Sequence, residues 1–247
     1  LRRLGVMKTK ENLAGFLSRS KASTPAIAML RKTRTERTNA KTDMAALEAW
    51  CAAVLVRAEK IKIKKIKLGD PEKAARQLAQ LSLLADWQDQ LVAALHRMGI
   101  ILVILEHLPG TFLDGAAMCR GDGIPVIALT LRHDRLDNFW FTLLHEFAHV
   151  VRHLSPDRQV ILDDLDVASS EAIEAEADSF ARNALIPPST WKEIDKDSST
   201  EEVLEAAQKA GVHPAIAAGR WRFEHSDYRR FSKLIGRGKV KSSLMPA

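Results

Sequence analysis

The 247-residue chain contains two cysteines, Cys51 and Cys119, and a single tyrosine. So few thiols exclude a disulfide-stapled scaffold and any cysteine-rich zinc module. Long apolar runs are missing as well. Stretches such as Ile100–Leu105 fall far short of the roughly 20 residues that a bilayer crossing requires. The first thirty residues are studded with Lys and Arg and hold no apolar block of signal-peptide length, so a soluble, cytoplasmic protein without membrane contact is expected. With 46% hydrophobic and 28% charged residues, wholesale disorder and fibrous repeats are also excluded, and a sizeable core is available. The chain opens on Leu1 rather than Met, which leaves room for upstream sequence.

The net charge of +6 is unevenly placed. Residues 1–70 hold 17 Lys and Arg against 6 Asp and Glu, residues 71–219 hold 12 against 23, and residues 220–247 hold 8 against 2. An acidic body with two basic ends is not the pattern of a uniformly basic nucleic-acid binder. It suggests a central site with flanks that meet DNA, an acidic partner or the body itself, the last as a self-inhibitory contact. The plain alternative is a set of solvated helix faces.

Local patterns divide the chain into three regions: a basic, mainly helical N-terminal region with a linker (1–70), a central body (71–199) and a helical basic C-terminal region (200–247). Leu13, Phe16 and Leu17 follow helical spacing, and Asn12–Leu30 has room for a helix-turn-helix, though without a turn glycine. Arg31–Asp43 is polar and threonine-rich, as a linker is. Met44–Ala58 places Leu47, Trp50, Cys51, Val54 and Leu55 on one face and reads as an amphipathic helix. The run Lys60–Lys67 fits either a lysine-guarded edge strand or a frayed helix end. Asp70-Pro71 is a helix start, and helices are expected through Leu84 and over Asp86–Met98.

From Gly99 the texture changes. Ile100–Leu105, Phe112–Arg120 and Ile124–Leu131 predict three short strands, the last two joined at Asp122-Gly123, a hairpin signal. The expected class is α+β, with a small, three-stranded, largely antiparallel sheet. Helices follow over Asp137–His153 and Ser169–Leu185, separated by an acidic loop at Asp163, Asp164 and Asp166, and then over Thr200–Ala210 and the basic tail.

The string His145-Glu146-Phe-Ala-His149 lies in an apolar helix. At about 100° per residue, His145 and His149 stand one turn apart, so both imidazoles reach one metal ion. Glu146 projects beside that ion, where a general base belongs. A catalytic zinc site needs a third protein ligand. On the next helix Glu174 and Asp178 share a side at i, i+4 spacing. Glu174 can complete the ligand set while Asp178 accepts the other ring N–H of a ligand histidine. Glu176 is a fallback ligand and Glu171 a weaker one. Zinc suits the donors, and manganese is an alternative. For stabilising a developing oxyanion, His213, Arg220 and Tyr228 are the C-terminal candidates, each with a structural alternative, and His153 is a candidate lining residue.

From about Gly99 to Pro187 the sequence resembles the ImmA/IrrE family of metallopeptidases, a gluzincin-like group. The resemblance rests on the strand-rich lead-in, on Trp140 through His149, on Glu174-x-x-Ala-Asp178-x-Phe-Ala, and on Leu185-Ile-Pro187. The tail with Val212-His213-Pro214 and Gly219-Arg220 is similar more weakly. The resemblance implies a zincin-type active-site helix packed with the sheet, zinc held by His145, His149 and Glu174, Glu146 as base, and Asp178 behind a ligand. It implies cleavage of a helix-turn-helix repressor or antitoxin, which derepresses stress-response or mobile-element genes. Residues 1–60 look like the segment that follows a DNA-binding domain in many relatives, that domain lying outside this sequence. The competing class is a metal-stabilised regulator that cleaves nothing and binds a repressor, an antitoxin or DNA.

Overall fold

The computed structural model describes residues 1–21, 42–162 and 171–244. Most of the expected linker, the second half of the possible helix-turn-helix and the acidic run Asp163, Asp164 and Asp166 lie outside the described residues. The class is α+β, with helices and a small sheet. The chain divides into two compact units. One comprises Leu1–Leu68, Leu95–Arg132 and His149–Ala175; the other comprises Gly69–Ala94, His133–Ala148 and Glu176–Ala247. Among the described residues no helix is long and apolar enough to cross a membrane.

The first unit is built on helices α1 (Leu13–Lys21) and α2 (Met44–Ala58) and strands β1 (Ile101–Ile104), β2 (Gly115–Cys119), β3 (Pro125–Leu129) and β4 (Val160–Leu162). Asp43 starts α2 by accepting from the backbone N–H groups of Ala45 and Ala46. The helix is not amphipathic as expected. Leu47, Ala49, Trp50, Cys51, Ala52, Ala53, Val54, Leu55 and Ala58 are all buried, which covers its whole circumference. The alanines are the reason: small side chains on the second face let α1, β1 and β3 all pack against one helix. Full burial of Leu47 and Leu55 alone contributes about 1.5–3 kcal/mol each. The indole N–H of Trp50 donates to the carbonyl of Glu106, and the Arg57 guanidinium to that of Ile104, so α2 also satisfies the chain where it leaves β1.

The sheet has four strands in the order β1-β3-β2-β4 and is mixed, which corrects the three-stranded, largely antiparallel expectation. The Asp122-Gly123 hairpin does form: β2 pairs antiparallel with β3, with Gly123 at φ +79°. The other two strands differ. β1 pairs parallel with β3, Ile101 opposite Val126, because the connection after β1 passes beyond β3 before β2 begins. β4, three residues long, pairs with the free edge of β2, Ala117 opposite Ile161. So short a strand has no legible alternation in sequence.

The run Lys60–Lys67 is neither strand nor helix end; residues 61–68 are irregular. Arg120 replaces a backbone ladder there. Its guanidinium donates to the carbonyls of Ala58 and Ile61 and is itself paired with Asp122.

The second unit is helical: α3 (Pro71–Gln80), most of α4 (Trp87–Arg97), α5 (Leu136–Ala148), most of α6 (Glu171–Leu185), α7 (Pro188–Trp191), α8 (Thr200–Ala210), α9 (Pro214–Glu224) and α10 (Lys239–Leu244). Side-chain caps hold several of these starts, the expected one at Asp70 among them. Asp70 accepts from Lys73 N–H, and Ser199 and Glu202 form a reciprocal capping box. Trp87, Phe139 and Trp140 make an aromatic cluster that seats α5, with centroids 5.0–5.5 Å apart. Helix α9 crosses α5 at Gly219, where any side chain would run into Asp137.

Candidate metal centre

Helix α5 buries nearly every residue, including Phe139, Trp140, Leu143, Leu144, Phe147 and Ala148. Into this apolar helix the sequence places His145 (6% exposed) and Glu146 (0%), and His149 (0%) stands immediately after it. Burying three ionisable side chains side by side is expensive unless each is engaged by a partner or a metal.

The expected helix over Asp137–His153 changes character at its end. Residues His149–His153 form a π turn, closed by a hydrogen bond from Leu154 N–H to the His149 carbonyl at 2.9 Å. The turn packs against β2 and β3.

Both imidazoles have a side-chain partner at Nδ1. Nδ1 of His145 lies 3.0 Å from Oδ1 of Asp178 on α6. Nδ1 of His149 lies 2.9 Å from Nδ1 of His153, while its Nε2 approaches Oε2 of Glu174 at 3.4 Å. Ligand atoms of His145, His149 and Glu174 all fall within 4.8 Å of one another. Three donors bound at about 2.0–2.2 Å around one tetrahedral ion stand roughly 3.4 Å apart, so this cluster is on the scale of a metal site. Two imidazoles and one carboxylate are also the donor set of a catalytic zinc centre, which leaves a fourth position for water or substrate. The residues present therefore fit a divalent ion.

Asp178 is held in its charged form. Its partial burial pushes the carboxyl up, but the hydrogen bond and charge of His145, together with Arg182, bring it below the ordinary carboxylate range. Arg182, one turn further along α6, reaches Oδ2 at 3.3 Å. An ionised acceptor behind His145 keeps the proton on Nδ1 and leaves the Nε2 lone pair available to a metal ion.

The structure thus brings together His145, His149 and Glu174, sets Asp178 behind His145, and buries Glu146 next to His145 on α5. Of the other carboxylates weighed, Glu176 and Glu171 are exposed on α6. The oxyanion candidates have structural work. His213 caps α9, accepting from Ala215 N–H through Nδ1, and its own N–H donates to the Ser82 hydroxyl. Arg220 donates to Glu224 and to the carbonyls of Arg182 and Ile186, and lies over the Trp191 ring. Tyr228 is exposed, with Arg222 over its ring. His153, expected as a lining residue, lies against the Nδ1 side of His149. The signal was a third histidine at the same four-residue spacing, which periodicity alone does not interpret.

Residues 106–222 match the family model described as the IrrE N-terminal-like domain. No curated protein matches the chain.

Proposed function

Because residues 106–222 are a domain of the ImmA/IrrE family of metallopeptidases, we propose that this protein is a zinc-dependent endopeptidase of the cytoplasm whose substrate is a helix-turn-helix repressor or antitoxin. The observation that carries the catalytic part is the convergence of His145, His149 and Glu174, with Glu146 buried next to His145. The substrate class is supported by the family resemblance, and the regulatory consequence, derepression of stress-response or mobile-element genes, follows from that substrate.

His145, His149 and Glu174 would hold the ion, zinc by preference and manganese as the alternative. When bound, such an ion supplies a Lewis acid that polarises the scissile carbonyl and makes water at the site more acidic. Glu146 takes the proton from the attacking water as the water oxygen bonds to the carbonyl carbon. As the C–N bond breaks, Glu146 returns that proton to the leaving amine, so the base ends as it began. Asp178 keeps the His145 ring oriented throughout.

The test is to load the wild type and Glu146→Gln with zinc, add each to extract of the source cells, and compare newly formed protein N-termini by mass spectrometry. The substitution spares all three ligands and removes the base. A new terminus inside a helix-turn-helix protein, seen only with the wild type, is the expected result. No difference, with zinc shown to be bound in both, overturns the peptidase reading in favour of a regulator that binds its partner without cutting it.

A further inference from the structure

The two histidines of the centre are supported differently. His145 leans on a carboxylate, Asp178, whereas His149 leans on another imidazole, His153, with Nδ1 to Nδ1 at 2.9 Å and ring centroids 5.0 Å apart. We propose that His153 is the positioning residue of His149: it accepts the Nδ1–H of that ring and so fixes both the tautomer and the rotation with which His149 offers Nε2 to the metal. This inference rests on the reading of His149 as a metal ligand.

The argument is one of proton count. A neutral imidazole has one N–H and one lone pair. His149 points Nε2 toward Glu174, at 3.4 Å, and a ligating Nε2 must carry the lone pair. The ring proton is then on Nδ1, and the short contact to His153 is a hydrogen bond that His149 donates. His153 receives it on an unprotonated Nδ1 and keeps its own proton on Nε2. The opposite arrangement, with His153 donating, would leave the His149 proton on Nε2 and remove the ligand. His149 is fully buried, so its Nδ1–H depends on a protein acceptor rather than on bulk water.

The π turn is what delivers that acceptor. It begins at His149 and ends at His153, and the wider loop closed by Leu154 N–H holds both rings on one side of the chain. Packing of the turn against β2 and β3 fixes the backbone from which His153 reaches back. A neutral acceptor also suits the electrostatics. Glu146, Glu174 and Asp178 already bring three carboxylates to this neighbourhood, and an imidazole supports His149 without adding a fourth.

The proposal separates His153 variants by which nitrogen they mimic. In His153→Asn the side-chain oxygen stands near the place of Nδ1; in His153→Gln it stands near the place of Nε2; His153→Phe fills the space with no acceptor. Zinc affinity is measured for each by competition with a chromophoric chelator, and the visible spectrum of the cobalt-loaded protein reports ligand geometry. Far-ultraviolet circular dichroism and melting of the metal-free proteins show whether each variant is folded. The expected result is roughly 10–100-fold weaker zinc binding with Phe and with Gln, a shifted cobalt spectrum, and recovery to within a few-fold of wild type with Asn. Equal zinc affinity in all three folded variants overturns the proposal, as does equal loss in Asn and Phe, which is the mark of a packing role. If Phe does not fold, the contrast between Asn and Gln decides alone. Should the wild type itself bind no zinc, the metal-centre reading fails, and that outcome is distinct from a wild type that binds while His153 proves irrelevant.

Discussion

Oδ1 of Asp178 and Nδ1 of His145 are 3.0 Å apart, and the carboxylate that makes this contact stands one helical turn beyond Glu174. On the proposed metal-centre reading, one helix supplies both a ligand to the ion and the support of a second ligand. Asp178→Ala removes the support while leaving all three donors in place. Zinc affinity should fall about 10–100-fold, and the metal-free protein should melt somewhat lower, because the buried His145 ring loses its acceptor. Chelator competition measures the first and a thermal scan the second. An unchanged affinity would show that His145 is oriented by packing alone.

Metal removal should be visible as lost stability. An ion that binds only the folded chain stabilises it by RT ln(1 + c/Kd), where c is its free concentration, about 2.7 kcal/mol when c is 100 times Kd. Zinc should therefore raise the melting temperature of the wild type. The shift should vanish in His149→Ala, which loses both a ligand and the connection to His153. A zinc-induced shift of the same size in that variant would place the ion elsewhere.

Gly219 is where α9 meets α5. A Cβ there would strike Asp137, whose carboxylate is held by the Arg135 guanidinium at 2.7–2.9 Å. Alanine is normally the better helix residue, yet Gly219→Ala should destabilise the protein by about 1–3 kcal/mol, the cost of overpacking a close contact. Denaturant melts of the two proteins are the check, and a more stable alanine variant would mean that α9 shifts freely.

His213 links stability to pH. Burial first, and then the charge of Lys239, lower its pKa below the ordinary imidazole value of about 6.5. Its Nδ1 accepts from Ala215 N–H, so the folded state needs the neutral ring. A lowered folded pKa means that the unfolded chain binds the proton first. The stabilising contribution is complete above about pH 6.5 and is lost as pH falls below it. In His213→Asn the cap persists without a titrating group. Measured on metal-free proteins, the stability of the Asn variant relative to wild type should rise between pH 7.5 and 5.5. Parallel pH dependences would contradict the assignment.

Much of this protein is decided within a few residues. Asp70 with Pro71, and Ser199 with Glu202, act over one helical turn, so the starts of α3 and α8 follow from sequence alone. The same holds for the hairpin at Asp122-Gly123 and for the pairing of His145 with His149, since a 3.6-residue period needs no tertiary information. Tertiary structure decided the rest. Neighbours in the sheet depend on the path of a connection, so β1 came to lie beside β3 rather than β2, and β4 gained a place that its three residues do not announce. Burial depends on what surrounds a helix, and the small side chains of α2 let it be enclosed on every side. Three carboxylates on α6 were eligible as ligands; Glu174 lies 3.4 Å from His149, while Glu171 and Glu176 are exposed. The turn that sets His153 behind His149 comes from packing on β2 and β3, a contact between residues more than twenty positions apart, which no local rule of spacing can reach.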